Sequence, residues 1–211
     1  MSATLQQILI DSAAYLDLTA ELPTDQELTT RKNYADRAVR EGAASGHLKE
    51  FSTPYTTYAT CATVSLPTNF REEETELYAL DTSGSWKSFP IILAKEIYGQ
   101  NINDQFAYIT GNRADGFVMT INNLSNYTTL SFTYQKYPAG LPSLSSICEL
   151  SDENYVTRKI EAYVLESRSD DRFTLVDADA NRKLANMSGR SNKKPAGAGN
   201  RTTRNFNNPL G

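Results

Sequence analysis

The sequence predicts an α+β fold in which an antiparallel β domain is inserted between an N-terminal helical hairpin and a C-terminal helical pair. Three observations predict it. Apolar residues recur at helical spacing over residues 1–50, alternate with polar residues within 51–150, and return to helical spacing over 151–187. A repeat of three to four residues is typical of an amphipathic helix, and a repeat of two is typical of a strand with one buried face. The helices are expected to pack together, and a flexible basic tail is expected over 188–211.

The first 50 residues predict a helical hairpin. The first helix, within residues 4–17, is defined by a stripe at helical spacing: Leu5, Ile8, Leu9, Ser12 and Leu16. Pro23 then interrupts the pattern. Thr24 and Glu27 form a capping-box sequence, in which each side chain accepts a hydrogen bond from a backbone amide at a helix start. We therefore expect a second helix that begins there and ends between Gly42 and Gly46.

The middle of the chain predicts strands near 55–66, 76–80 and 87–93, followed by a meander. A glycine-containing turn over 111–116 should join strands at 106–110 and 117–121. After it, Leu130, Phe132 and Tyr134 alternate with polar residues, which indicates a strand with one wet face. Two cysteines belong to this region. Cys61, in a predicted strand, and Cys148, near a helical start, are expected to be small buried residues, with a disulfide as the alternative.

The C-terminal helical pair should begin at Asp152 and Glu153, since acidic residues favour a helix N-terminus. Its first helix has a buried side formed by Tyr155 or Val156, then Ile160, Tyr163 and Val164. The second helix has Ser169 as its expected cap and ends at Gly189. Its apolar stripe is Phe173, Val176, Ala180, Leu184 and Met187.

Composition and charge exclude several classes of protein. No uninterrupted apolar run exceeds four residues, far below the ~20 that a membrane-spanning helix needs. The N-terminus lacks the basic and apolar regions of a secretory signal, so we expect a cytosolic site of synthesis. The formal net charge is −4, but residues 188–211 hold five basic and no acidic residues. Subtracting those five charges gives −9 for residues 1–187. An acidic body therefore carries a basic tail.

Enzymatic chemistry has little support in the sequence. His47 is the single histidine, and we interpret it as a polar cap at a helix C-terminus. Glu72, Glu73, Glu74 and Glu76 could hold a divalent cation or act as a carboxylate pair, but a solvated loop is the favoured interpretation. No glycine-rich phosphate loop occurs. We expect no enzyme, no cofactor and no metal.

The basic tail is the candidate site. It is long enough to reach another molecule, spanning ~27 Å as a coil and ~80 Å when extended. As a docking arm it would use Arg190, Lys193, Lys194, Arg201, Arg204, Phe206 and Leu210. A merely solubilising end is the simpler alternative. Nucleic-acid binding is another, although the tail has one aromatic residue and the body is acidic. Trp86 and the tyrosines could instead form a sugar platform, but a core or rim aromatic is favoured.

Four stretches carry a resemblance to a known family. They are the opening helix Leu5 to Leu18, the segment Pro23 to Lys32, the sequence from Leu66 to Phe70, and the closing region from Tyr155 to Ala180. In this order, and over most of residues 4–187, they resemble the head-to-tail adaptor (connector) proteins of tailed bacteriophages.

The resemblance implies a structural virion protein without catalytic residues. Identical copies, usually twelve, would form a ring between the portal protein and a tail or nozzle protein. Packaged DNA would pass through the lumen without sequence-specific binding, and no membrane would be involved. The protein would be made in the host cytoplasm and reside at the head–tail junction. The alternatives are a tail-terminator or tail-tube subunit or, from another class, a carbohydrate- or small-ligand-binding β module.

Overall fold

The computed structural model describes residues 3–59, 61–101 and 103–191, with the side chains of Arg190 and Ser191 left out. It confirms the α+β class, with both helical pairs packed together. The helices are α1 (Leu5–Leu16), α2 (Asp25–Ala44), α3 (Glu153–Ser167) and α4 (Phe173–Ser191). Short 3-10 helices occupy Lys49–Phe51 and Ala94–Gly99. None of the helices in these ranges is long and apolar enough to span a bilayer.

Within the described residues, nine strands form two sheets. They are β1 (Ser52–Tyr58), β2 (Thr63–Ser65), β3 (Phe70–Glu73), β4 (Leu77–Asp81), β5 (Trp86–Phe89), β6 (Ile91–Ile92), β7 (Ala107–Asn112), β8 (Gly116–Ile121) and β9 (Tyr127–Lys136). One sheet has the order β1-β9-β4-β5, with β3 also paired to β9; the other has the order β2-β8-β7-β6. Each of these pairs is antiparallel except β6 with β7.

Helix α3 is the centre of the helical module, because α1, α2 and α4 all pack against it. It is therefore buried on nearly every side from Tyr155 to Leu165. Asp152 caps it as expected, accepting a hydrogen bond from the amide of Asn154 at 3.2 Å. The predicted stripe of α1 is also confirmed, with Leu5, Ile8, Leu9 and Ser12 buried.

The predicted start of α2 is confirmed, but its capping box, and the cap and end of α4, need correction. Thr24 precedes α2 but makes no side-chain capping bond. Glu27 instead pairs with the buried Arg31 one turn later, so its carboxylate is not free to reach back. At α4, Ser169 has a positive φ of 54° and the carboxylate of Asp170 accepts the amide of Arg172 at 2.9 Å. The helix also continues through Gly189 to Ser191.

The two sheets share one apolar core, as edge-to-face contact between Phe70 and Phe117 shows, with ring centroids 5.3 Å apart. The predicted apolar side of β9 is confirmed, since Leu130, Phe132 and Tyr134 are buried, but Gln135, expected on the wet face, is buried as well. The β7–β8 hairpin also forms as predicted. Gly111 has φ +103°, and a Cβ there would lie 2.2 Å from the carbonyl oxygen of Gly116, so the turn requires glycine.

The strands before this hairpin differ from prediction. The expected strand at 55–66 is divided into β1 and β2, which belong to different sheets. The expected strand at 87–93 is divided at Pro90, where the chain passes from one sheet to the other and the ring nitrogen has no proton to donate. Cys61 lies between β1 and β2 and is exposed, so the expectation that it is buried is wrong. Cys148 is buried, and both thiols are free.

The chain passes from the helical module into the β module, and back again, at adjacent positions. β1 pairs with β9 along its whole length, from Ser52 opposite Gln135 to Tyr58 opposite Thr129. The predicted β domain runs to residue 150. In the structure, however, Leu141, Cys148 and Leu150 pack in the helical core. The inserted β module therefore extends from the start of β1 at Ser52 to the end of β9 at Lys136.

Candidate functional site: the outer sheet faces

The predicted docking arm lies almost entirely outside the described residues. α4 includes the backbone of Arg190, and its side chain is not described. The remaining arm residues also lie beyond the described part: Lys193, Lys194, Arg201, Arg204, Phe206 and Leu210. The structure therefore brings none of them to a site. The surface it does define is on the β module.

The outer face of the five-stranded sheet carries two rows of side chains across four strands. One row, set by the strand register, is Tyr58, Thr129, Leu80 and Trp86. The next is Thr56, Ser131, Tyr78 and Ser88. Many of their sequence neighbours, among them Leu77, Ala79, Phe89 and Leu130, point the other way, into the core shared with the second sheet. A period of two along each strand thus places the eight side chains together on one surface.

Aromatic rings stand out from this face. Tyr58 is 75% exposed, Trp86 51% and Tyr78 43%. Between them the hydroxyls of Thr56 and Ser131 are 3.2 Å apart and hydrogen-bonded. Trp86 lies on the edge strand β5 with its ring exposed, so it is not a core aromatic, and its position suits both a rim residue and a sugar platform.

None of the eight side chains carries a charge at neutral pH, although the chain as a whole is acidic. The outer face of the second sheet has the same character. Its two rows are Thr63, Thr120, Tyr108 and Ile92, then Ser65, Val118 and Thr110. Aromatic and hydroxyl side chains without charge are typical of surfaces that contact another molecule, since burying them leaves no unpaired ion.

The helical module is different, because its surface is covered with ion pairs. Arg37 pairs with Glu41 at 2.8 Å and Arg40 with Asp36 at 2.7 Å, both between successive turns of α2. At the end of α1, Asp17 accepts from Arg168 of α3 at 3.3 Å. These pairs stabilise helix surfaces weakly and keep them hydrated. The β module and the helical module therefore present opposite kinds of surface.

One apolar groove opens in the helical module, with a volume of about 440 Å³. Tyr15, Leu175 and Val176 line it, and Leu175 is 75% exposed. Arg158 lies 4.8 Å above the ring of Tyr15 and donates to Glu161 at 2.6 Å. Burial raises the pKa of Glu161, even though its arginine partner acts in the opposite direction. Nothing in the described residues shows what would cover this groove.

The other sequence candidates are dispersed. His47 is exposed beyond the end of α2, where Ser45 rather than His47 hydrogen-bonds the carbonyl of Gly42 at 2.7 Å. The acidic run is not a loop throughout, since Glu72 and Glu73 belong to β3. Across the described ranges, no group of three or more histidine, cysteine or acidic side chains is placed to hold a metal ion.

Sequence reasoning missed the two outer rows because their members come from four distant strands. Trp86 and Tyr58 are 28 positions apart, and only the register of β9 between them brings their rows together. The available signal was the alternation of threonine and tyrosine in β1. It predicts a wet face but does not identify the partners across it.

A comparison of the sequence with protein-family models found no match, and a search of curated proteins found none either. Function is therefore inferred from the residues and their arrangement.

Proposed function

We propose that this protein is a structural virion component, a head-to-tail adaptor whose copies form a ring between the portal and the tail of a tailed bacteriophage. The observation that supports this most is the set of uncharged side-chain rows on the two outer faces of the β module, in a chain that is acidic overall. The order of helices and strands, which led to the resemblance, is consistent with it.

Electrostatics favours contact between copies at these faces. Identical acidic molecules repel one another, and like charges brought together at a contact are costly. The rows of Tyr58 and Tyr78 avoid that cost, because they present rings and hydroxyls instead of carboxylates. A second copy can therefore bury them without leaving an unpaired ion.

The placement of the faces suits a closed ring. They lie on opposite sides of the two-sheet core, so one copy's five-stranded face can meet the next copy's four-stranded face. Such a contact joins two different surfaces, and repeated around an axis it forms a ring when the rotation between copies closes. In this proposal residues 188–211 form the arm that engages the portal, and its cations pair with an acidic surface there.

The test is electron microscopy of the full chain mixed with purified portal rings. We expect ring-shaped particles bound to the portal. Ser88→Glu places a carboxylate in the uncharged face, on an exposed edge-strand position, and should abolish the adaptor rings. Asn186→Asp adds the same charge on the exposed surface of α4 and is the matched control.

The outcomes separate the parts of the proposal. If the full chain does not bind portal rings, the adaptor function is wrong. If Ser88→Glu forms rings as well as the control, the copies meet elsewhere. Deletion of residues 192–211, which leaves α4 intact, should abolish docking, and unchanged docking would contradict the arm.

A second candidate function is carbohydrate binding by the β module. The exposed rings of Trp86, Tyr78 and Tyr58 favour it, since sugars stack on aromatic faces beside hydroxyl groups. Trp86 is the single tryptophan, so its fluorescence reports on this face alone. A saturable change during titration with glycans would support this function over the adaptor, and an unchanged spectrum would remove it.

A further inference from the structure

A small cavity lies where the helical module meets the β module. Its volume is about 110 Å³, well below the roughly 300–1,000 Å³ of sites that hold whole small molecules. Three arginines line it, one from each of three parts of the fold: Arg40 from α2, Arg71 from β3 and Arg113 from the tip of the β7–β8 hairpin. A cavity of this size with three guanidinium groups is suited to one small anionic group.

Arg71 is a fixed structural member of this cavity. Its Nη1 donates to the carbonyl of Ala43, and its Nη2 donates to that of Gly46 at 3.2 Å. Its Nε donates to Glu72 at 3.0 Å. All three guanidinium nitrogens are therefore occupied, and the side chain holds the C-terminal end of α2 against β3. It contributes positive charge to the cavity, and most of its N–H groups are already engaged.

Arg113 supplies the free donors. Its guanidinium lies 4.3 Å from the centroid of the Tyr137 ring. Stacking engages the face of the guanidinium and leaves the N–H groups at its edge available. The nearest acid along the chain, Asp115, is hydrogen-bonded to Asn112 at 2.7 Å. Within the described residues, Arg113 has no ion-pair partner.

Arg40 has a partly free guanidinium as well. Its Nε donates to Asp36 at 2.7 Å, and no hydrogen bond from its Nη atoms occurs within the part of the chain that is described. Two of the three arginines are paired with acids, Arg40 with Asp36 and Arg71 with Glu72, so within the described residues Arg113 is the lining arginine without an ion-pair partner. In an acidic body this is an unusual position for positive charge, and it favours an anion.

We propose that this cavity binds a phosphate-type oxyanion, with Arg113 and Arg40 as its hydrogen-bond donors and Arg71 as a fixed positive charge. Planar guanidinium groups match the oxygens of a phosphate with paired, charge-assisted hydrogen bonds. The ring of Tyr137 and the backbone of the hairpin turn hold Arg113 in place before the anion arrives. The proposal is independent of the ring-forming function.

The test is a titration of the full chain with inorganic phosphate at constant ionic strength, with sodium chloride as the reference anion. We expect saturable binding, measured by calorimetry and by a rise in the unfolding midpoint. Arg113→Gln should weaken binding about tenfold or more, because it removes charge-assisted hydrogen bonds. Because the variant also loses the stacking on Tyr137, its midpoint in phosphate-free buffer serves as the reference from which its rise with phosphate is measured.

Arg182→Gln is the matched control, because it removes one positive charge from a site 75% exposed on α4 and away from the cavity. Equal weakening by both variants would overturn the proposal, as would the absence of saturable binding to the wild type. A duplex DNA competitor distinguishes the source of the phosphate. Competition that depends on Arg113 assigns the site to a nucleic-acid backbone, and no competition assigns it to free phosphate.

Discussion

The hydroxyl of Tyr163 on α3 donates a hydrogen bond to Oε2 of Glu41 on α2, and this bond joins the central helix to its neighbour. Arg37 completes the group, pairing with Oε1 of Glu41 and lying 4.4 Å from the centroid of the Tyr163 ring. Burial alone would raise the pKa of Glu41, but the hydrogen bonds from Tyr163 and Arg37 lower it overall. Burial, together with the same bond to Glu41, raises the pKa of Tyr163.

We predict that Tyr163→Phe destabilises the protein by about 1 kcal/mol at neutral pH. A hydrogen bond to a charged group contributes more than this when buried, but Glu41 is 40% exposed and solvent weakens the interaction. Urea denaturation of the two proteins measures the difference. Tyr34→Phe is a suitable control, since the Tyr34 ring also contacts Tyr163, at 5.2 Å. A control effect as large as that of Tyr163→Phe would contradict the assignment to Glu41.

The contact between Tyr163 and Glu41 also predicts that the stability difference between the wild type and Tyr163→Phe depends on pH. The pKa of Glu41 in the folded protein lies below its ordinary value of 4.5, so its stabilisation is fully present above that value. It is lost as the pH falls through the folded pKa. The destabilisation caused by Tyr163→Phe should therefore shrink as the pH is lowered from about 5, where it is fully present, into the range below 4.5. A constant difference across that range would exclude Glu41 as the partner whose ionisation matters.

The side chain of Arg31 is completely buried between Asp17 and Glu27. We predict that removing this cation costs less stability than removing the two acids that pair with it. Arg31→Met removes the buried cation, and both acids retain Arg168 nearby, so the cost should be about 1 kcal/mol. Replacing both acids by Asp17→Asn and Glu27→Gln leaves the guanidinium buried without a counter-charge and should cost about 3 kcal/mol. Chemical denaturation distinguishes the two, and a larger cost for Arg31→Met would contradict this account.

Two helical glycines should respond oppositely to alanine. A Cβ on Gly42 would lie 3.0 Å from Cε1 of Tyr155 and 3.2 Å from Cδ1 of Leu150, which crowds the core. We expect Gly42→Ala to destabilise the protein by about 1 kcal/mol, the overpacking outweighing the helix propensity gained. At Gly189 a Cβ would meet no atom within 4 Å, so Gly189→Ala should stabilise by about 0.5 kcal/mol. Thermal unfolding of both variants tests the pair, and a shared sign would contradict it.

The two thiols should differ in reactivity. Cys61 is exposed, whereas Cys148 is buried and its burial raises the pKa of the thiol to about 11. Because the thiolate is the reactive form, the native protein should show one fast-reacting thiol with a chromogenic disulfide at about pH 8, and two in denaturant. Cys61→Ser should abolish the fast phase. Rapid modification of Cys148 in the native protein would show that the helical core opens readily.

Local patterns predicted most of the elements. The stripe on α1, the alternation in β9 and the hairpin closed by Gly111 each depend on residues close in sequence, so periodicity and turn chemistry suffice. The prediction failed where distant groups compete for a side chain. Glu27 has the spacing of a capping residue, but the buried Arg31 takes its carboxylate. No pattern within the second helix shows that this arginine is buried.

The candidate surfaces were harder to predict for a related reason. The rows through Tyr78 and Trp86 depend on register between four strands, and the arginine cavity joins Arg40, Arg71 and Arg113 across both modules. Such sites form only after tertiary packing, and local spacing carries no information about them. The basic arm was conspicuous in the sequence because a charge run needs no fold to be recognised. Its docking role remains a prediction.

The first and last strands of the β module lie side by side, with Ser52 opposite Gln135. The two ends of this insertion are therefore adjacent where they join the helical module. If the β module were removed, a loop about as short as an ordinary turn could join the two ends of the chain that it leaves. During evolution the whole β module could therefore be replaced by a different one, which would change the protein's contact surface while α1 to α4 kept their packing.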